Sequence, residues 1–438
     1  MARFIVMPFH WASDMNPSFA LARKLQARGH EIRYLAIADV EERIRAQGFE
    51  VTPIFEGVFP KGALAAQEAR AAAGRPDGAA AFRARVRGVC DALRAGELDR
   101  AARAARADGL IVSSGTPWVG VAAPKTGLPV IGFSSTLISI QDPIVPPFSS
   151  PLIPGRSRFF RARTWLAWRK VSLVHSLIGR GWDITGDLLA LARDRGFPFE
   201  RIDLRVQTWP RLSLPELIFC PRELDFPRAR VPEGANFVEA SIDARRRDGG
   251  FPWERLPEGK PLIYCALGTV APTIRRGPVA RFIQVFLDAI ASRPDWQAVV
   301  SIGRAVPADH FRRPANALLV PDAPQVEVLR RASLFVTHGG FNSVKESVYF
   351  GVPMIVLPIF YDQRGNAARV VYHGLGARGD LKRISPDGIG ALMSAALENP
   401  GAFERSRRMS TVFVEAERRG PSVDILEAAL KSRSQIHA

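Results

Sequence analysis

An anion-binding turn is predicted at residues 334–343. The apolar residues 334–337 indicate a buried strand, which runs through His338 and two glycines into a helix. Glycines let a ligand approach the backbone closely, and the free amides at a helix N-terminus attract negative charge. Asn342 and Ser343 stand at the N-cap and first turn of that helix, where they could cap it or donate to a phosphate. A capped helix would explain Asn342 and Ser343 alone, but His338 beside paired glycines favours a site in which the imidazole donates to a diphosphate oxygen.

Three further polar residues follow this turn and could hold the hydroxyl groups of a ligand. Glu346 lies on the second turn of the same helix, where its carboxylate could accept from both hydroxyls of a ribose. Considered alone, Glu346 fits an exposed ion pair more simply. Asp362 and Gln363 open another helix after an apolar strand and could grip sugar hydroxyls. Helix capping would explain Asp362 but not Gln363.

Two similar halves of alternating strands and helices must position these residues. The pattern predicts strand, helix, strand, helix and strand within residues 3–55, then two more buried strands at 109–113 and 129–134. The same alternation starts again at residue 261. It is typical of parallel, doubly wound sheets, so we predict an α/β protein with two Rossmann-like domains that face each other across a cleft. Ligands of such sheets bind outside the carboxyl ends of the strands.

Changes in composition along the chain suggest the domain boundaries. We predict an N-terminal domain at 1–220, a linker rich in proline, glycine and charge at 221–258, a C-terminal domain at 259–405, and a helix at 406–438 that returns to the first domain. Within the first domain, the pattern predicts a first helix at 18–28, a loop at 57–78 and a helix or helix pair at 79–107.

The composition excludes several classes of protein. The chain has 438 residues, of which 47% are hydrophobic and 24% charged, which excludes disordered and fibrous proteins. Its three scattered cysteines predict neither a disulfide framework nor a cysteine zinc site. The apolar runs are too short for a signal peptide or a membrane span, so we expect a cytoplasmic protein. The net charge of +17 attracts anionic partners in general, but no motif for reading nucleic acid is present, so we expect no nucleic acid partner.

The motifs together resemble one enzyme family. The run His338-Gly339-Gly340-Phe341-Asn342-Ser343 with Glu346, then Gly351-Val352-Pro353, then Asp362-Gln363 with Asn366, resembles the donor-binding signature of family-1 nucleotide-sugar glycosyltransferases, which have the GT-B fold. Residues 267–269 resemble the first phosphate loop of that family, and 324–325 its Pro-Gln element. Residues 223–228 and 369–376 look more narrowly like bacterial macrolide and zeaxanthin glycosyltransferases. The likeness covers nearly the whole chain and is strongest between 261 and 376.

This resemblance implies a hexosyltransferase that uses a nucleotide sugar, UDP-glucose or a similar donor, as co-substrate. No Asp-x-Asp pair is present to anchor a metal, so the resemblance implies that helix amides replace it and that no cofactor is needed. The implied donor-binding residues are Gly268, Thr269, Asp322, Gln325, His338, Gly340, Asn342, Ser343, Glu346, Asp362 and Gln363. At the position of Asp322 many family members have a tryptophan that stacks on uracil, an interaction of about 1 to 3 kcal/mol, so the donor base stays open. Glu346 favours a ribose over a deoxyribose.

The resemblance also implies a catalytic base in the N-terminal domain. Asp14 occupies the position of the family's catalytic histidine, and Ser113 that of its orienting aspartate. A carboxylate base needs no carboxylate partner and would be disfavoured by one, so the two departures fit each other. We expect Asp14 to deprotonate the acceptor in an inverting displacement while His338, Thr269 and the helix start stabilise the departing diphosphate. The alternatives are that Asp14 caps a helix that begins near residue 16, or that His10 is the base.

Residues 155–182 indicate the acceptor. They carry many basic and aromatic side chains and no acidic ones, with apolar positions on one helical face. This pattern fits either an interfacial helix at a membrane or a helix that packs on the first domain and walls the acceptor pocket. Both interpretations imply a lipophilic acceptor, of carotenoid, polyketide, macrolide or phenolic type. The predicted acceptor-binding residues are His10, Trp11, Ser113, Phe133, Trp165 and Trp168.

Two alternative functions remain open from the sequence. The first is a glycolipid or sterol glycosyltransferase that contacts the inner membrane surface peripherally through residues 156–182. The second is a protein that binds a nucleotide sugar without transferring it, since Asp14, Ser113 and Asp322 all depart from the family pattern.

Overall fold

Each half of the chain forms its own parallel sheet. The computed structural model describes residues 1–155, 157–177, 182–207, 209–244, 246, 250–256, 259–268, 276–304 and 306–436. Within them, the two predicted doubly wound α/β halves are confirmed.

Among the described residues, the N-terminal lobe contains nine strands. In chain order they are β1 Arg3–Met7, β2 Glu31–Ala36, β3 Glu50–Pro53, β4 Gly109–Ser113, β5 Val130–Ser134, β6 Ile202–Asp203, β7 Arg211–Leu212, β8 Glu216–Ile218 and β9 Ala235–Phe237. Seven of them form a parallel sheet in the order β3-β2-β1-β4-β5-β8-β9, and β6 and β7 form a separate antiparallel pair. Phe4 and Val6 of β1 pack into the core on one face of the sheet, and Ile5 and Met7 into the core on the other. Burial on both faces explains why these strands are continuous apolar runs.

The described part of the C-terminal lobe repeats this arrangement with six strands. They are β10 Leu262–Ala266, β11 Gln297–Ser301, β12 Ala317–Val320, β13 Leu334–Thr337, β14 Met354–Val356 and β15 Gly376–Arg378. All neighbours are parallel, in the order β12-β11-β10-β13-β14-β15. Side chains of β10 again alternate between two cores, with Leu262 and Tyr264 in one and Ile263 and Cys265 in the other.

Helices cover both sheets. Those of the first half are α1 Ala12–Ala27, α2 Glu41–Ala46, α3 Ala63–Ala72, α4 Ala79–Arg94, α5 Glu97–Ala104, α6 Pro117–Ala122, α7 Arg158–Leu177 and α8 Thr185–Arg195. Those of the second half are α9 Arg276–Ala291, α10 Gln325–Leu329, α11 Phe341–Tyr349, α12 Gln363–Tyr372, α13 Pro386–Leu397, α14 Pro400–Arg419 and α15 Pro421–Ile436. In the described part of the chain, no helix is both long enough and apolar enough to cross a bilayer.

Three sequence predictions about the elements are wrong. The first helix begins at Ala12, not at residue 18, because it continues through Pro17. The predicted loop at 57–78 contains α3, whose alanines favour a helix without giving it a periodic apolar face. The predicted linker at 221–258 contributes β9 to the N-terminal sheet; a strand of three residues is too short to produce a recognisable pattern.

The chain passes between the lobes at two neighbouring places. The first passage follows β9, and the second is at Gly420, between α14, which packs on α11, and α15. Helix α15 returns to the N-terminal lobe, where Val423 and Leu426 join the same core as Phe4. The fully buried Glu239, in the first passage, accepts hydrogen bonds from the amide and hydroxyl of Ser422 in the second. The two passages are therefore in direct contact.

Candidate active site

A buried carboxylate lies at the carboxyl edge of the N-terminal sheet. Asp14 is in the first turn of α1, soon after β1, and is 8% exposed. Its carboxylate accepts hydrogen bonds from the hydroxyls of Ser113, at the end of β4, and Ser135, just after β5. The amide of Phe9 donates to the same carboxylate at 3.3 Å. The ends of three neighbouring strands thus converge on one side chain, because the carboxyl ends of parallel strands meet at one edge.

The surroundings of Asp14 suit a proton acceptor. Burial raises the pKa of Asp14, and the hydrogen bonds from Ser113, Ser135 and Phe9 limit that rise. A higher pKa makes the ionised carboxylate a stronger base. The alternative in which Asp14 caps a helix beginning near residue 16 is wrong, because the helix begins at Ala12 with Trp11 as its N-cap residue.

The two serines have a positioning role that the sequence did not predict. Ser113 was expected to bind the acceptor, but it is 2% exposed and its hydroxyl donates to Asp14, so that expectation is wrong. Ser135 was missed altogether. It could have been found from topology, because it follows a strand that was predicted and ends at the same edge as Asp14.

The predicted anion-binding turn has the geometry that its residues indicated. Gly339 adopts a φ of 84°, a left-handed conformation that favours glycine, and α11 begins at Phe341 with Gly340 as its N-cap residue. No side chain of the described residues caps this helix, so the amides of its first turn are available to an anion. Asn342 and Ser343 lie within the first turn; the expectation of Asn342 at the N-cap is therefore wrong.

The imidazole of His338 lies between two glycines. A Cβ atom added to Gly268 would be 2.6 Å from the ring, and one added to Gly340 would be 2.7 Å from Nε2. Only glycine fits at these two positions while the ring keeps its place. Burial lowers the pKa of His338 to about 4, although a hydrogen bond with the backbone of Ala266 raises that pKa in part. The ring is therefore neutral near pH 7.

A hydrogen bond joins this helix to the turn that carries Asp14. The side-chain amide of Asn342 donates from Nδ2 to the carbonyl of Ser13 at 2.8 Å, which we call the cross-cleft bond. In a regular helix this carbonyl would accept from the backbone amide of residue 17, but Pro17 has no N–H. The proline thereby leaves the Ser13 carbonyl free for a donor from the other lobe. The Oδ1 atom of Asn342 is buried and has no hydrogen-bond partner among the described residues.

A second residue of α11 also reaches the N-terminal lobe. Lys345, three residues after Asn342 and therefore on a similar face, is 1% exposed. Its ammonium donates to the carbonyls of Phe219 at 3.0 Å and Ala240 at 3.2 Å. Burial lowers the pKa of Lys345 to about 8 despite the nearby carboxylates. Two side chains on neighbouring turns thus fix α11 against the first lobe.

A cavity opens between the lobes on the other side of these contacts. We call it the cleft cavity; its wall includes Thr136, Phe148, Trp168, Asp362, Asn366 and Arg369. Trp168 is buried and its indole donates to the carbonyl of Val145 at 2.9 Å, so α7 forms one wall of this cavity, as one of the two interpretations of residues 155–182 expects. Asp362 contributes a carboxylate from the start of α12, and burial raises its pKa.

Comparison with known proteins shows which enzymes the chain is similar to. A model of the family described as UDP-glucoronosyl and UDP-glucosyl transferase matches residues 309–416. The zeaxanthin glucosyltransferase of Pantoea ananas is 25% identical over 97% of this chain and 95% of its own length. The oleandomycin glycosyltransferase of Streptomyces antibioticus is 26% identical over 96% of this chain and 89% of its own length. A crystal structure of the glycotransferase of kitacinnamycin has a TM-score of 0.69 and 24% identity, covering 98% of this chain and 99% of that one.

The chain is a glycosyltransferase with the GT-B fold, and it is similar to family-1 glycosyltransferases over nearly its whole length. The family resemblance seen in the sequence and the expected enzyme class are therefore confirmed.

In this glycosyltransferase, Glu346 is held by the Pro-Gln element. Gln325 donates from Nε2 to the Glu346 carboxylate at 2.6 Å and lies 3.4 Å from the hydroxyl of Ser343. Glu346 is 7% exposed, and Arg246 approaches its other oxygen at 3.8 Å. The alternative of an exposed ion pair is wrong, because the carboxylate is buried and bound by a neutral amide. This arrangement would leave Glu346 oriented toward a ligand in the cleft.

The side chain of Asp362 does not cap the helix that follows it, although capping was one explanation of this residue. Asp362 makes no capping bond; its carboxylate accepts from Nδ2 of Asn366 at 3.0 Å and lines the cleft cavity. The Oε1 atom of Gln363 accepts from the amides of Ile359 and Phe360 at 2.7 and 2.9 Å. Gln363 therefore closes the turn before the helix, a structural role that the sequence did not suggest, and its oxygen is already used there.

The two segments that look like macrolide and zeaxanthin glycosyltransferases meet in one buried ion cluster. Asp225 accepts from Arg369 at 2.6 Å and from Arg228 at 2.6 Å. Burial alone would raise the pKa of Asp225, but the two guanidinium groups outweigh it and lower that pKa. Arg228 also donates to the carbonyl of Ile138, beside the cleft cavity. The cluster braces the wall of the cavity from behind.

Asp322, Thr269 and Phe133 were also predicted to belong to the site. Asp322 is exposed and pairs with Arg304 at 2.6 Å on the surface. Thr269 lies outside the described residues. Phe133 is 0% exposed and stacks on Phe219 inside the core, so the prediction that it binds the acceptor is wrong; alternation along β5 turns it away from the cleft.

Three aromatic residues complete the set predicted to bind the acceptor. Trp165 is 55% exposed and lies over Arg169, on the outside of α7, so its predicted contact with the pocket is wrong. His10 packs against Phe9 and burial lowers the pKa of His10 to about 4, while Trp11 is 48% exposed. Among the described residues, no cluster of three or more His, Cys, Asp or Glu could hold a metal ion.

Proposed function

We propose that this glycosyltransferase moves a sugar from a nucleotide diphosphate sugar, UDP-glucose or a similar donor, to a hydroxyl group of a lipophilic small molecule. The observation that carries this proposal is the cross-cleft bond. It joins Ser13, the neighbour of Asp14, to the first turn of α11. A carboxylate base and an anion-binding helix start therefore face the same cleft, joined by one hydrogen bond from the side chain of Asn342 to the backbone carbonyl of Ser13.

The reaction follows from the roles of these groups. Asp14 accepts the proton of the acceptor hydroxyl as its oxygen attacks the anomeric carbon from the side opposite the diphosphate. The bond from that carbon to the diphosphate oxygen breaks, and the leaving diphosphate takes the electron pair. The amides at the start of α11 and an N–H of His338 stabilise the charge that develops on it. One displacement of this kind inverts the configuration, and the developing charge is met by amides without recourse to a metal.

The cleft cavity supports a lipophilic acceptor. Phe148 and Trp168 line it, and Leu137 and Ile138 add aliphatic surface, while the polar part of the wall includes Asp362 and Arg369. Small-molecule sites typically combine apolar and aromatic walls with polar groups that orient the ligand. Relatives named for zeaxanthin and oleandomycin suggest the class, so we propose a carotenoid, polyketide or phenolic alcohol.

The donor proposal rests on Glu346. Its buried carboxylate, oriented by Gln325, could accept from both hydroxyls of a ribose, which favours a UDP-sugar over a thymidine diphosphate sugar. Asp322 offers no aromatic surface for the base, so we expect the ribose to contribute more to donor selection than the base.

The test compares wild type with Asp14→Asn, using UDP-glucose and dTDP-glucose with a panel of lipophilic alcohols. The amide is nearly isosteric, and either serine hydroxyl can rotate to accept from it, so the fold should be kept. We expect kcat to fall about 10²- to 10⁴-fold while UDP binding, measured by calorimetry, stays unchanged. NMR should show a β-linked product from the α-linked donor.

Asp309→Asn is the matched control, because Asp309 is an exposed aspartate that has no part in the candidate site. Retained activity in Asp14→Asn, or an α-linked product, would contradict the proposed mechanism. Failure of the wild type to transfer or hydrolyse any donor would instead support the non-catalytic binding protein.

A further inference from the structure

Helix α7 presents an apolar stripe to solvent. Phe159, Leu166, Leu173 and Leu177 are 81%, 58%, 57% and 70% exposed, and we call them the outer stripe. Their spacings of seven and four residues place them on one side of the helix. Single exposed leucines need no explanation, but four exposed apolar side chains on one side of a helix indicate a surface that something covers.

The outer stripe is not the face that holds α7 to the protein. Phe160, Thr164 and Trp168 form the buried face, and Trp168 continues into the wall of the cleft cavity. The helix is thus apolar on two opposite sides. One side serves the fold and the cavity; the other has no packing role within the described residues.

The charges around the outer stripe select its partner. Arg163 and Lys170 are exposed on the same side of α7 as the outer stripe, Arg169 is exposed at its edge, and residues 157–177 contain no acidic side chain. A second copy of this chain on the stripe would bring like charges together, which is destabilising. An anionic lipid surface instead satisfies both features, because the apolar side chains enter the acyl boundary while the cationic heads reach the phosphates.

We propose that α7 docks the protein on an anionic membrane surface through the outer stripe. A helix is about 10 Å in diameter, so this docking would separate the lipid from the cleft cavity by a single helix. If the proposed function is right, a lipophilic acceptor leaves the bilayer beside α7 and enters the cavity past Trp168. The docking itself does not depend on that function.

The test measures binding of the full chain to vesicles by co-sedimentation. The vesicles are phosphatidylcholine alone or with about a third phosphatidylglycerol, each at low salt and at about 0.5 M salt, where surface charges are screened. We expect binding to the anionic vesicles only, reduced at high salt. Leu166→Gln with Leu173→Gln and Leu177→Gln should lower the partition coefficient at least tenfold.

Phe199→Gln with Val414→Gln is the matched control, because both residues are exposed apolar side chains outside α7. It should bind vesicles like wild type. Unchanged melting temperature and unchanged transfer to a water-soluble phenol would show that the stripe variant is folded, and they test the enzymatic proposal separately. Wild type that stays in solution with anionic vesicles, or a stripe variant that binds as well as wild type, overturns the proposal. A wild-type dimer that becomes monomeric in the stripe variant, without vesicle binding, would assign the stripe to a second copy.

Discussion

Ser135→Ala offers a sharp test of how Asp14 is tuned. The hydroxyl of Ser135 donates to one carboxylate oxygen of Asp14, and it is one of three donors that oppose the rise in pKa caused by burial. Removing it raises the pKa of Asp14 further. Because the base acts in its ionised form, the acid limb of kcat/KM must move to higher pH. A hydrogen bond to a charged group contributes about 1.5 to 3 kcal/mol, which corresponds to about a 10- to 100-fold loss of activity below the limb and none on the plateau above it.

The assay is a pH profile of kcat/KM for wild type and Ser135→Ala with a saturating donor. Ser114→Ala is the control, since Ser114 is a neighbour of Ser113 but donates to Glu216, not to Asp14. It should leave the acid limb in place. A uniform loss at all pH values in Ser135→Ala, or a limb that moves to lower pH, would refute the reasoning and leave Ser135 with a packing role only.

Two further variants test the anion-binding turn and the cross-cleft bond. Gly340→Ala places a Cβ 2.7 Å from the imidazole of His338 and should weaken UDP binding at least tenfold in calorimetry. The control Gly186→Ala has open space around the new Cβ and should bind UDP like wild type. Equal UDP affinity of the two variants would contradict the proposed anion-binding turn. Pro17→Ala restores an amide that competes for the Ser13 carbonyl, so kcat should fall about 2- to 10-fold, as for loss of one neutral hydrogen bond, while the melting temperature stays equal or rises. A lower melting temperature with unchanged kcat would show that the cross-cleft bond has no part in the reaction.

The strands and the anion-binding turn could be predicted because their signals are local. A strand buried on both faces must be apolar throughout, and the pair Gly339 and Gly340 marks a turn in which Gly339 takes a left-handed conformation that favours glycine. Short elements such as β9 gave no such signal. The family resemblance added the expectation for Asp14, which spacing alone would not have singled out.

The partners of the site residues could not be predicted, because they come from distant parts of the chain. Ser135 is 121 residues from Asp14, and only the order of strands in the sheet brings them together. The sequence shows Pro17, and therefore a carbonyl without its helical donor, but not that Asn342 of the other lobe would supply one. Gln363 was expected to hold sugar hydroxyls, but its oxygen closes a turn by accepting from the amides of Ile359 and Phe360. The direction of those amides is set by backbone angles that the sequence does not show.

The contact between Glu239 and Ser422 limits how the two halves of the enzyme can move. Two covalent connections side by side act like a door hinge: rotation about the line through them is easy, whereas sliding one half along the other strains both. When the two halves open to admit substrates and release products, this rotation would move the Asp14 carboxylate away from the start of α11 and return it along the same path. Alignment at each turnover would thus be set by the pivot rather than by the substrates.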